Sequence, residues 1–104
     1  MRDYELMVVL DANLDESGVE AVRNRVIALA TQRGGSVEGV DVWGPRRLAY
    51  PIGRHRDGTY LVFRLRVSPG DTNEIERALK LSEHVLRHLL VRAEEAQPAA
   101  PARA

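Results

Sequence analysis

Residues 59–67 read Thr-Tyr-Leu-Val-Phe-Arg-Leu-Arg-Val, and the polarity of this stretch alternates from one residue to the next. Successive side chains of a β-strand point to opposite faces of a sheet. The apolar face holds Leu61, Phe63, Leu65 and Val67, whereas the other face holds Tyr60, Val62, Arg64 and Arg66. The pattern predicts a strand, Thr59–Val67, with a core on one side and an open surface on the other.

The residues before this strand predict a strand, a helix and a second strand. Residues 4–10 are largely apolar and place Tyr4, Leu6, Val8 and Leu10 on one face of a strand. Either Asn13, which has capping-box spacing to Glu16, or Asp15 is a candidate helix cap. An apolar stripe then recurs at three- and four-residue steps and predicts a helix that ends at Gly34-Gly35; it consists of Val19, Val22, Val26 and Leu29. A second strand follows, from Val37 to about Pro45. Val37 is out of phase with Val40 and Val42, and a bulge at Gly39 would correct the phase.

The segment between the second and third strands has two further signals. Residues 46–53 are predicted to continue extended, because Tyr50 precedes Pro51. Pro51 has no N–H, so this part should be a sheet edge or leave the sheet. Asp57-Gly58 is a typical turn sequence between two β-rich runs, so we place the hairpin turn there.

The remaining elements complete the order β-α-β-β-α-β. Asp71 and Glu74 resemble a helix start, and the buried side of that helix holds Ile75, Ala78 and Leu79. Val85–Ala93 is predicted as a fourth strand whose inward face is ambiguous. This order predicts an α+β, ferredoxin-like split β-α-β fold, a four-stranded antiparallel sheet with both helices on one face. Residues 1–93 would form this domain, and the Pro/Ala-rich tail 94–104 is predicted to be disordered.

Composition bounds the possible functions. The chain has 104 residues and no cysteine, which excludes disulfides, thiolate zinc sites and cysteine nucleophiles. Net charge is zero, with 15 basic and 15 acidic residues. The distribution is uneven, since residues 46–66 hold six arginines and one acid, a net charge of +5. We expect this stretch to present one basic surface.

Catalytic and metal-binding signatures are missing from the sequence. It has neither a Gly-rich phosphate loop nor a nucleophile elbow. His84 and His88 are four residues apart but lie at a strand entrance, where that spacing does not converge on one ion. An acylphosphatase would need an arginine in the loop after the first strand, and here that loop, residues 11–15, is acidic. We therefore predict no enzyme activity, no cofactor and no metal.

The basic segment Arg46–Arg56 has two interpretations. Arginine forks contact phosphate, and Tyr50 offers a ring on which a base can stack. Alternatively, arginines on an exposed edge strand only discourage edge-to-edge aggregation. Physical reasoning weighs the two about equally. Trp43 also has two interpretations, as a core residue or as an exposed residue that contacts a partner.

Several motifs resemble the family of protein six of the bacterial small ribosomal subunit, over residues 1 to about 93. They are Met1-Arg2-x-Tyr4-Glu5, Leu14-Asp15, Gly34-Gly35-x-Val37-Glu38, Gly58-x-Tyr60 and, most specifically, Trp43-Gly44-x-Arg46-Arg47-Leu48-Ala49-Tyr50-Pro51-Ile52. The resemblance implies a cytoplasmic, ribosome-bound protein that binds the central domain of small-subunit ribosomal RNA. It also implies ribosomal protein eighteen as a heterodimer partner, and neither a membrane nor a small-molecule substrate.

Site residues follow from the resemblance and from charge. Arg2, Arg46, Arg47, Tyr50 and Arg54 match family positions expected to contact RNA or the partner. Arg56 and Arg64 are added as RNA contacts on charge and on position in the predicted sheet. The expected partner contacts around the sheet edge are Trp43, Leu48, Tyr50 and Pro51. The rival hypothesis is a regulatory module that binds small metabolites, which ferredoxin-like domains often are; co-sedimentation with small subunits would separate the two.

Overall fold

A four-stranded antiparallel sheet carries two helices on one face, in a computed structural model that describes residues 1–93. The elements are β1 (Arg2–Asp11), α1 (Glu16–Thr31), β2 (Ser36–Ile52), β3 (His55–Val67), a 3₁₀ turn (Pro69–Asp71), α2 (Thr72–Leu81) and β4 (Val85–Arg92). The strand order is β2-β3-β1-β4. This confirms the predicted fold class. The predicted disordered tail, 94–104, lies outside the described residues.

The helix-covered face of the sheet holds the core. β1 pairs with β3 so that Leu6 lies opposite Phe63 and Val8 opposite Leu61, and all four side chains are fully buried. The helices cover them with Val26 from α1 and Ile75 and Leu79 from α2, as the apolar stripes predict. Of the two candidate caps, Asp15 begins α1: its carboxylate accepts a hydrogen bond from the Gly18 N–H at 2.8 Å.

The opposite face, which we call the open face, carries the alternate side chains. Met7 and Val9 of β1 lie opposite Val62 and Tyr60 of β3 on this face. The ambiguity of β4 is resolved by its register: Leu90, opposite Leu6, joins the core, whereas Leu89, opposite Met7, is on the open face and 53% exposed. No helix within residues 1–93 is long and apolar enough to cross a membrane.

The position of the β2–β3 turn differs from the sequence prediction. The turn is at Gly53-Arg54, not at Asp57-Gly58, and Gly53 supplies the left-handed backbone with a φ of +59°. Asp57 and Gly58 are inside β3, opposite Arg47 and Arg46. Gly58 is needed for space, because a Cβ there would lie 2.5 Å from Cγ1 of Val9 and 3.3 Å from Cδ2 of Leu48. The Asp-Gly pair thus reflects close packing.

Strand β2 departs from regular pairing at several points. The register with β3 shifts between Val37 and Gly39, as the out-of-phase Val37 predicts. It shifts again between Arg47 and Ile52, so residues 48–51 have no partner on β3. Pro51 falls in this unpaired stretch, which confirms that the chain leaves the sheet ladder there. A bulge of this kind bends a strand and re-aims its side chains.

The packing at Gly58 yields a prediction about stability. We expect Gly58→Ala to lower the free energy of unfolding by about 1–3 kcal/mol, because the added methyl group overpacks the contact between Val9 and Leu48. Urea unfolding measures this. Gly70→Ala is the control, since a Cβ at Gly70 meets no atom within 4 Å, and it should change stability by less than about 0.5 kcal/mol. Equal effects of the two substitutions would contradict the close packing.

Candidate nucleic-acid interface

The end of the β2–β3 hairpin, residues 46–57, forms a distinct projection that we call the arm. It carries four of the predicted contact arginines, Arg46, Arg47, Arg54 and Arg56. Its anchor is Leu48, which is only 7% exposed and lies against Gly58. Beside the turn at the end of the arm, Nδ1 of His55 lies 3.9 Å from Oδ1 of Asp11 at the end of β1. The arm is therefore attached to the sheet at more than one point.

An aromatic stack fixes one of the arm arginines. The rings of Trp43 and Tyr60 are stacked, with centroids 5.9 Å apart and planes 12° from parallel. The guanidinium carbon of Arg46 lies 5.8 Å from the Trp43 centroid. Nε of Arg46 is shielded from solvent and has no hydrogen-bond partner among residues 1–93. A cation over an aromatic face is stabilised by about 0.5–1 kcal/mol at exposed sites, so this contact favours one orientation of Arg46.

The other three arginines of the arm are more accessible. Arg47 is 74% exposed, and its Nε lies 3.5 Å from Oδ1 of Asp57. Arg54 is in the turn and Arg56 follows it, and both are exposed. Within the described part of the chain, neither forms an ion pair with a carboxylate. Such side chains can rearrange to meet phosphates at low cost, since exposed ion pairs contribute little.

Arg87 of β4 joins this surface, although no sequence signal selected it. Its guanidinium carbon lies 5.7 Å from the centroid of the Tyr50 ring, and its Nη1 donates a hydrogen bond to the Tyr50 hydroxyl. Tyr50 and Arg87 are 37 residues apart. Only the register of β4 could have placed Arg87 on the open face, and its alternation left that register undecided.

Two predicted RNA contacts do not lie with the arm. Asp11, at one end of β1, lies opposite Gly58 next to the arm, whereas Arg2, at the other end, lies opposite Val67. Arg2 and Asp11 are nine residues apart, so Arg2 is about 30 Å from the arm along the strand. Arg64 is six residues along β3 from Gly58, about 20 Å, and its Nη1 lies 3.1 Å from Oδ2 of Asp41.

The stretch 46–66 is therefore not one basic surface, which corrects the expectation from charge. Arg66, like Arg64, is paired on the open face, since its Nη1 lies 3.1 Å from Oδ1 of Asp3. Within this stretch the excess of positive charge lies in the arm, next to Arg87 of β4. Arg64 and Arg66 instead belong to a charge-balanced region at the other end of the same face.

The four expected partner contacts are differently exposed. Leu48 is buried against its own chain, so we reassign it from partner contact to anchor of the arm. Trp43 is half-buried and stacks on the open face, outside the helix-side core. Tyr50 and Pro51 are exposed, and Tyr50 is 56% exposed. Three of the four thus have surface that a second molecule can contact.

The histidines and acids form no metal-binding cluster in the described residues. Residues 1–93 contain no group of three His, Asp or Glu side chains arranged to hold a metal ion. His88 faces the helices, and its Nε2 lies 3.2 Å from Oε1 of Glu76 on α2. This pair joins β4 to α2, so His88 contributes to the packing of the fold and not to the exposed arginine surface.

Comparison with known proteins decides the family. A model of the family described as Ribosomal protein S6 matches residues 3–92. The chain belongs to the ribosomal protein S6 family. Small ribosomal subunit protein bS6 of Mycolicibacterium paratuberculosis is 44% identical over 95 residues, covering 91% of this chain and 99% of the relative. The same protein of Thermobifida fusca is 46% identical over 94 residues, covering 90% and 98%.

Solved structures give the same fold. The crystal structure of 30S ribosomal protein S6 from Thermotoga maritima has a TM-score of 0.83 and 25% identity, covering 90% of this chain and 89% of that one. The C-terminal domain of the MgtC protein from Mycobacterium tuberculosis has a TM-score of 0.64 at 15% identity, covering 94% of each chain. That second likeness concerns the fold alone.

Membership of the S6 family confirms the resemblance found in the motifs. It confirms the predicted class, a non-enzymatic ribosomal protein of the small subunit found with the ribosome in the cytoplasm. It also favours this class over the rival metabolite-binding module. The individual contact residues stay predictions, and their geometry is what separates stronger candidates from weaker ones.

The aromatic stack can be tested by a double-mutant cycle. We expect Trp43→Leu and Tyr60→Leu to be coupled by about 0.5–1.5 kcal/mol in unfolding free energy, because each removes the partner of the other. Urea unfolding followed by circular dichroism measures the coupling. The control combines Trp43→Leu with Tyr4→Leu. Tyr4 is buried on the helix-covered face, so the effects of these two substitutions on the unfolding free energy should be additive. Additivity of the Trp43 and Tyr60 effects within about 0.3 kcal/mol would contradict the stack.

Proposed function

We propose that the chain binds the central domain of small-subunit ribosomal RNA through the arm, as a heterodimer with ribosomal protein eighteen of the small subunit. The observation that carries the RNA proposal is the gathering of Arg46, Arg47, Arg54 and Arg56 on one projection beside stacked aromatic rings. Phosphate contacts supply most of the affinity of such proteins, and aromatic rings accept splayed bases.

The arm supports two kinds of RNA contact. Arg54 and Arg56 at its tip have guanidinium groups that no carboxylate of residues 1–93 pairs with, and a planar guanidinium fork can bind two phosphate oxygens at once. Arg46 is already oriented by Trp43, so it loses less conformational freedom on binding than a mobile arginine does. The tip thus supplies adaptable charge, and the base of the arm supplies a fixed contact.

The outer edge of β2 is the surface that we expect to bind the partner protein. β2 is an edge strand, so residues beyond Arg47 offer backbone groups that no neighbouring strand occupies. Exposed Pro51 adds apolar surface along this edge, and half-buried Trp43 lies beside it on the open face. Unpaired strand edges flanked by such surface are sites at which a second chain adds. RNA on the arginine side and a protein on the edge can therefore be bound together.

The RNA proposal predicts a change in salt dependence. The double variant Arg46→Ala/Arg47→Ala, in complex with ribosomal protein eighteen, should bind a junction fragment of the central domain at least tenfold more weakly. The slope of log K against log salt concentration should fall by about two, because two phosphates are no longer neutralised by an arginine. Filter binding at several salt concentrations measures both quantities.

The matched control removes the same charge from the helix-covered side. Arg77→Ala/Lys80→Ala changes two exposed basic residues of α2, and it should leave affinity and slope unchanged. An unchanged slope for the arm variant, or equal losses for both variants, would refute the assignment. Co-sedimentation of the native protein with small subunits tests the proposal as a whole.

The partner proposal predicts a loss of heterodimer. Pro51→Glu should weaken binding to ribosomal protein eighteen at least tenfold, because a carboxylate at an apolar contact loses hydration. Calorimetric titration in the absence of RNA measures this affinity. Leu81→Glu is the control, since Leu81 is 77% exposed and lies at the end of α2. If Pro51→Glu binds as tightly as this control, the partner lies elsewhere.

A further inference from the structure

The contact between Tyr50 and Arg87 connects the two edges of the sheet. Tyr50 belongs to β2 and Arg87 to β4, and β3 and β1 lie between them. In a flat sheet, these two edge strands would be three inter-strand spacings, or about 14 Å, apart. The contact therefore requires the arm to bend over the open face, and the unpaired residues 48–51 are where the chain does so.

Few other contacts hold the arm in this position. Leu48 packs against Gly58 at its base, and the Arg47–Asp57 pair joins its two strands to each other rather than to the sheet. The His55–Asp11 contact is 3.9 Å long and lies beside the turn. Among the cations of residues 1–93 that lie outside the arm, only Arg87 forms a hydrogen bond or cation–π contact with Tyr50. It is therefore the contact that joins the bent part of the arm to the opposite edge of the sheet.

We propose that Arg87 is a positioning residue, which holds Tyr50 across the open face in the orientation that receives an unpaired RNA base. This rests on the proposed function of the arm. The guanidinium lies at the hydroxyl end of the Tyr50 ring, with its carbon 5.7 Å from the ring centroid, and Nη1 donates a hydrogen bond to the hydroxyl. Tyr50 is still 56% exposed, so its ring keeps surface on which a base can stack.

A positioning role differs measurably from a direct phosphate contact. If Arg87 acts through Tyr50, the affinity loss of Arg87→Ala disappears once Tyr50 is already alanine, because effects that share one contact do not add. The salt slope also stays the same, since no phosphate contact is removed. A direct contact would lower the slope by about one and give additive effects.

The test uses the full chain with two readouts. In the free protein, amide hydrogen exchange of the paired arm residues Arg46, Arg47, Ile52, His55 and Asp57 should be at least fivefold faster in Arg87→Ala than in wild type, while β1 amides are unchanged. In the complex with ribosomal protein eighteen, Arg87→Ala should bind the junction RNA five- to tenfold more weakly with an unchanged salt slope. The double variant Tyr50→Ala/Arg87→Ala should bind no more weakly than Tyr50→Ala.

The control removes a charge from the same strand. Arg92 is exposed and lies opposite Tyr4, at the far end of β4, so Arg92→Ala should alter neither readout. Unchanged arm exchange in Arg87→Ala, additive effects on affinity or a lower salt slope would each overturn the positioning role. Failure of the wild-type complex to bind RNA would instead refute the proposed function, and the exchange experiment would still decide whether Arg87 holds the arm.

Discussion

The pairing of β1 with β3 is the constraint on which the rest of the molecule depends. Ten consecutive residues, from Arg2 opposite Val67 to Asp11 opposite Gly58, pair without a break. Because side chains alternate between faces, a shift of one residue would exchange the core with the surface. The register therefore fixes at once which side chains pack under the helices and which charges and aromatic rings meet on the open face.

The same register separates two electrostatic regions along the open face. At the Arg2 end, Asp3 and Asp41 neutralise Arg66 and Arg64. At the Asp11 end, the arm adds several arginines against few acids. A chain with no net charge thus has, within residues 1–93, a local concentration of arginines at the arm. Local charge of this kind favours docking in one orientation, whereas uniform positive charge would favour binding anywhere along a nucleic acid.

Sequence patterns were sufficient for elements whose signals are local. Alternation located β1 and β3, the apolar stripe located α1, and Val37 out of phase indicated the bulge. Asp57-Gly58 led to a wrong position for the turn. Glycine favours turns because its backbone is conformationally free, but Gly58 lies within β3 because a larger residue would collide with Val9 and Leu48. Tertiary packing decided that position, and no local pattern encodes it.

Long-range contacts were the part of the site that sequence reasoning missed. Arginines of the arm could be selected because they are close together in the chain, but Arg87 reaches Tyr50 only through strand order, register and the bend at residues 48–51. Charge counting erred for the same reason, since it joined Arg64 to the arm although Asp41 neutralises it. The MgtC domain shares this fold at 15% identity, so the sheet alone does not specify the function. In this chain the edge strand leaves its ladder at residues 48–51 and bends over the open face, where its Tyr50 meets an arginine of the opposite edge.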